Sequence, residues 1–182
     1  HMVLEGPVLR SNIDAQVKEN ILLLNNQASF SFQPAFGEKS RWVDDISPLL
    51  STGIQCKETL SMAIPAEGVK IPIGDSLWKA AVIPHFTINF GKIETARKGN
   101  LALILSLLQK DLHPKGLKIW CGPIRGGLNQ GLITLERTDF LIEEKYQLCS
   151  WGTWNVVSEQ FEGILGITAS ALEKAFKIHT LP

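Results

Sequence analysis

Ala81-Val-Ile-Pro-His-Phe-Thr-Ile-Asn-Phe90 opens the segment from Trp78 to Trp120 on which the reading of this chain turns. Val82, Pro84, Phe86, Ile88 and Phe90 fall on one face and Ile83, His85, Thr87 and Asn89 on the other. That alternation predicts a half-buried strand. Proline cannot donate to a ladder. Pro84 therefore places the strand at a sheet edge, or leaves it paired there on its carbonyl side alone.

From about Lys92 to Leu112 the period changes. Leu101, Ile104, Leu105, Leu108 and Leu112 keep helical spacing and form one apolar stripe, with Leu103 and Leu107 off it. Gly99-Asn100 allows the helix to begin at an Asn100 cap, and His113-Pro114-Lys115-Gly116 ends it. Leu117 to Trp120 then reads as a second strand. Roughly 1.5–3 kcal/mol for each well-buried Leu or Ile would make such a helix the main core-former.

The flanks are read by the same rules. Ser11-Asn-Ile-Asp14 has capping-box spacing and predicts a short helix over 12–19. Ser29-Phe-Ser-Phe32 alternates as a strand, and 69–73 is a short strand between turn residues. A short helix is expected within 42–50, where Asp44 and Asp45 read as a cap and a solvated charge. The glycine-rich run Cys121 to Gly131 reads as a hairpin-like loop without P-loop or dinucleotide spacing. Phe140 to Cys149 reads as one more strand. Phe161, Ile164, Leu165, Thr168, Leu172 and Phe176 predict a helix over 158–178, although Gly163 and Gly166 weaken it. Together these predict an α+β domain: a mostly antiparallel sheet of about five to seven strands, with two main helices, 100–112 and 158–178, packed on it.

The chain has 182 residues, 45% apolar and 20% charged, which is a globular composition. His1-Met2 reads as a cloning remnant, leaving 3–182 as a single expected domain. No apolar run reaches the roughly 18 residues of a membrane span. Three cysteines without CxxC spacing predict reduced thiols in an intracellular, cytoplasmic chain, with neither metal nor cofactor.

Net charge is zero but unevenly placed. Between 92 and 125, Lys92, Arg97, Lys98, Lys110, Lys115, Lys118 and Arg125 face only Glu94 and Asp111, whereas the segment after 131 is acidic. A basic face built from Lys92, Arg97, Lys98, Lys115, Lys118 and Arg125 would suit lipid headgroups or nucleic acid. The expectation is therefore a non-catalytic interaction or self-assembly domain. It would be homo-oligomeric, peripheral at an anionic membrane surface, and suited to a viral matrix-type structural role or, alternatively, to RNA binding. The five tryptophans are expected in or near the core.

One enzymatic resemblance stands beside this. Pro84-His-Phe-Thr-Ile88 resembles half of the paired H-x-[S/T] signature of the two-histidine phosphoesterases. The resemblance implies His85 for proton transfer and Thr87 to hold phosphate, side by side on one strand face. The second half would have to be His179-Thr180, where the hydroxyl comes one residue early.

Overall fold

A computed structural model describes residues 2–5, 9–32, 54–56, 58–74, 77–95 and 117–169. In chain order the strands are β1 (Met2–Glu5), β2 (Leu9–Ile13), β3 (Ala15–Lys18), β4 (Ile21–Leu24), β5 (Ala28–Phe32), β6 (Ile54–Cys56), β7 (Leu60–Ile64) and β8 (Ile71–Pro72). A one-turn helix, α1 (Leu77–Ala80), precedes β9 (Val82–Asn89), β10 (Gly91–Thr95), β11 (Leu117–Cys121), β12 (Ile124–Asn129), β13 (Leu132–Ile142), β14 (Tyr146–Asn155) and β15 (Gln160–Ile167).

The α+β expectation is overturned. Of the described residues 70% are strand and 4% helical, a mostly antiparallel β structure with one short helix. A twelve-stranded sheet replaces the five to seven strands expected, and β3, β4 and β8 form a second, three-stranded sheet. The 100–112 and 42–50 helices fall outside the described residues, as does the second half of 158–178. The first half of 158–178 is strand: Phe161, Gly163, Leu165 and Ile167 pair with Trp154, Gly152, Ser150 and Leu148 of β14. Eight cross-strand pairs outweigh a local helical spacing that two glycines already weakened.

The 12–19 helix is likewise a hairpin. β3 and β4 are joined through Glu19 and Asn20, both at positive φ (50° and 65°), the backbone of a two-residue primed turn. The glycine-rich loop is also strand. β12 runs through it and turns at Gln130-Gly131 into β13. The strand read over 140–149 is a hairpin tip, since β13 ends at Ile142 and β14 begins at Tyr146.

β9 lies inside the sheet, between β7 and β12, which corrects the edge placement. Pro84 is tolerated because it stands outside both registers. The β7 ladder stops at Thr87, and the β12 ladder shifts between Phe86 and Ile83. At that bulge Gly127 lies so close to β9 that a Cβ there would come within 2.4 Å of the Pro84 carbonyl oxygen.

The sheet forks at β13. Its first residues pair with β12 and its last with β11, along one edge, while β14 runs the length of the other. One wing is β1-β2-β5-β7-β9-β12 and the other is β6-β10-β11. The interruptions correspond: residues 58–59 before β7, Phe90 between β9 and β10, Gly122-Pro123 between β11 and β12, and a bulge between Leu135 and Thr138 in β13. Gly91 takes φ +64° at this line, a conformation that L side chains rarely adopt. The core collects beside it. Leu60, Phe90, Ile93, Ile119, Ile142 and Leu148 are fully buried in one cluster with Phe86, Ile88, Ile124 and Phe140.

Candidate functional site

Strand alternation sends Phe86 and Ile88 inward and leaves His85 and Asn89 exposed on the opposite face, with Thr87 half-buried between them. Register then assembles the outward face of the first wing. One row runs Arg125, Thr87, Ala63, Ser29, Asn12 across β12, β9, β7, β5 and β2. The next runs Asn89, Ser61, Ser31, Arg10. The Asn89 amide donates to the Ser61 hydroxyl at 3.3 Å. Neither row contains a carboxylate; beyond Arg10 the register continues to Glu5 of β1. Arg10, Asn12, His85, Asn89 and Arg125 are exposed.

The middle of this face is recessed. Ser29, Ser31, Ser61 and Ala63 are the small outward side chains of β5 and β7, and Arg10 and Asn12 border them. Together they line an open trough of about 480 Å³. By contrast, an enclosed space of about 30 Å³ beside the β13 bulge has room for little more than one water.

Three residues of the predicted basic face are described, and they lie on either side of the Gly122-Pro123 interruption. Lys92 and Lys118 lie on neighbouring β10 and β11, on the outward side of the second wing. Lys92 Nζ sits 5.2 Å from the Trp120 ring centroid. Lys118 is registered opposite Glu94. Its backbone N–H donates to Glu143 Oε1 at 2.6 Å, and its carbonyl accepts from the Glu143 N–H at 2.9 Å. Arg125 lies beyond the Gly122-Pro123 interruption, opposite Thr87. Arg97, Lys98 and Lys115 fall outside the described residues, as does His179.

Thus the structure brings together Arg125, Thr87 and His85, which the sequence reading had assigned to two different functions. Sequence reasoning missed Arg10, Asn12, Ser31, Ser61 and Asn89. The available signal was the polar side of each alternating strand. Three tryptophans depart from expectation: Trp78 is 60% exposed, Trp120 43% and Trp151 37%, whereas Trp154 is half-buried. Among the described residues no group of three or more His, Cys, Asp or Glu could hold a metal ion, and no helix is long and apolar enough to cross a membrane.

No protein-family model, curated protein or solved structure matches this chain.

Proposed function

We propose that this chain is a non-catalytic interaction domain that holds a phosphate-bearing partner, a lipid headgroup or a nucleic-acid backbone, on the outward face of β2-β5-β7-β9-β12. The observation carrying this reading is the placement of Arg125 opposite Thr87 with His85 on the same strand face. From there the carboxylate-free rows continue to Arg10. A guanidinium supplies paired donors and charge to a phosphate, and the hydroxyls and amides supply neutral donors around it. A coat-forming role of the viral matrix type is the same reading applied to many copies on one anionic surface.

The reading is tested by cosedimentation with phosphatidylserine-containing vesicles and by RNA gel shift, at low and high salt. Arg125→Glu is expected to weaken whichever partner binds, by about tenfold at low salt. If neither partner binds at low salt, the reading fails. A protein that hydrolyses a cyclic phosphodiester, and loses this with His85→Ala, would be an enzyme instead.

A further inference from the structure

We infer that the trough takes the phosphodiester backbone of an extended single-stranded nucleic acid, held by its phosphates and not by its bases. This rests on the reading above and names its partner. The two arginines stand at opposite corners of the face, four strand steps and one row apart. With strands about 4.8 Å apart and about 3.4 Å per residue along them, Arg10 and Arg125 are separated by about 20 Å. No single headgroup or free phosphate reaches both, but an extended polymer does. A planar bilayer does reach both, yet it would rest on the rim formed by Arg10 and Asn12. The hydroxyls of Ser29, Ser31 and Ser61 lie recessed below that rim, where only a narrow chain meets them.

The lining also says how such a chain is held. Among the described residues Phe30 is the only aromatic of the trough, and its side chain packs against the core. The described residues therefore offer bases no stacking platform of the kind that gives single-strand binders much of their affinity. What remains is contact with phosphate and sugar, which is insensitive to sequence.

The test is fluorescence anisotropy with a labelled oligouridylate of about 12 nucleotides, across a salt series, on the full chain. Two phosphates neutralised predict a slope of log K against log salt of about −1.4, and Arg10→Gln or Arg125→Gln should each bring it to about −0.7. Each should weaken binding about fivefold at low salt. Ser31→Leu fills the floor and should weaken binding without changing the slope. An oligothymidylate and a mixed-sequence strand should bind within about threefold of oligouridylate. Circular dichroism melts show whether each variant is folded, and the arginine variants decide the matter if Ser31→Leu is not. Equal slopes in wild type and both arginine variants overturn the inference. So does binding of anionic vesicles, lost with Arg125→Gln, by a protein that ignores the oligonucleotide; that result leaves the broader reading standing. Binding of neither probe overturns both.

Discussion

The outward faces of the two wings carry similar numbers of cations and differ in what surrounds them. On β10 and β11, Lys92 lies over Trp120, and Lys118 is registered against Glu94 and bracketed by Glu143. Across β12 to β2, Arg125 and Arg10 are separated by hydroxyls, amides and an alanine. A charge excess along the sequence therefore says little about a field in space. Antiparallel pairing decides which residues become neighbours, and it placed Glu94 opposite Lys118 and Glu5 opposite Arg10, but no carboxylate opposite Arg125 or between the arginines. A cation registered opposite a carboxylate offers less to a ligand, which leaves Arg125, opposite Thr87, as the stronger anchor.

The sharpest way to break the contrast is to disturb the register that creates it. Gly127 keeps β12 against β9, and through that approach Arg125 opposite Thr87. Gly127→Ala puts a Cβ within 2.4 Å of the Pro84 carbonyl, a backbone atom with little room to yield. We expect a loss of about 3 kcal/mol in urea denaturation. A loss under about 1 kcal/mol would mean that the two strands do not approach this way.

Next in size is the charge comparison itself. Arg125→Glu should lower affinity for an anionic probe about tenfold at low salt, which is about 1.4 kcal/mol, whereas Lys118→Glu should change it less than about twofold. Equal losses would erase the distinction between the wings and restore a single diffuse basic surface.

How much of this was legible beforehand follows from the range of the forces involved. The inward and outward sides of β9 could be read from Ala81 to Phe90, because alternation is local. His85 and Thr87 were correctly placed on one face for the same reason. The position of β9 inside the sheet could not be read, because a bulge excused Pro84 from both ladders and bulges are set by the partner strand. The first half of the helix expected over 158–178 is strand: Phe161, Ile164 and Leu165 satisfy a helical spacing over its first turns, while the strand period shows only once β14 is paired beside them. Arg10, Ser31 and Ser61 are tens of residues from Arg125 in sequence. Only the strand order makes them one face.

A smaller effect compares the two sides of β2, beneath and upon that face. Arg10 and Asn12 are exposed, whereas Ser11 between them is 5% exposed and its hydroxyl has no hydrogen-bond partner among the described residues. A buried hydroxyl without a partner costs about 1–3 kcal/mol, so Ser11→Ala should stabilise the chain by about 1 kcal/mol and raise Tm by about 2–4 °C. Because the substitution leaves the outward side untouched, anion binding should be unchanged. A fall in Tm would show that the hydroxyl is satisfied after all.

The smallest expected effect lies at the bend that separates β2 and β5 from the β3-β4 hairpin. The carboxylate of Asp14 accepts from the side-chain amide of Asn26 at 2.7 Å and from that of Asn25 at 3.4 Å, while the Asp14 carbonyl accepts from the Asn25 N–H at 2.8 Å. The Asn26 bond, then the Asn25 bond, hold the Asp14 carboxyl below its ordinary value of 3.8. The folded state thus prefers the ionised form more than the unfolded chain does. The stabilisation is complete above the unfolded pKa and is lost as pH falls through the lower folded one. Asp14 lies at the surface, half-buried, so the consequence is local: acid should loosen this bend while leaving the β9–β12 register, and with it the arginine-bearing face, intact. An NMR titration should place the Asp14 carboxyl midpoint below 3.8, with the Asn25 and Asn26 side-chain amides moving in step. Resonances of β9 and β12 that moved with the same midpoint would tie the bend to the face and remove the independence claimed for them.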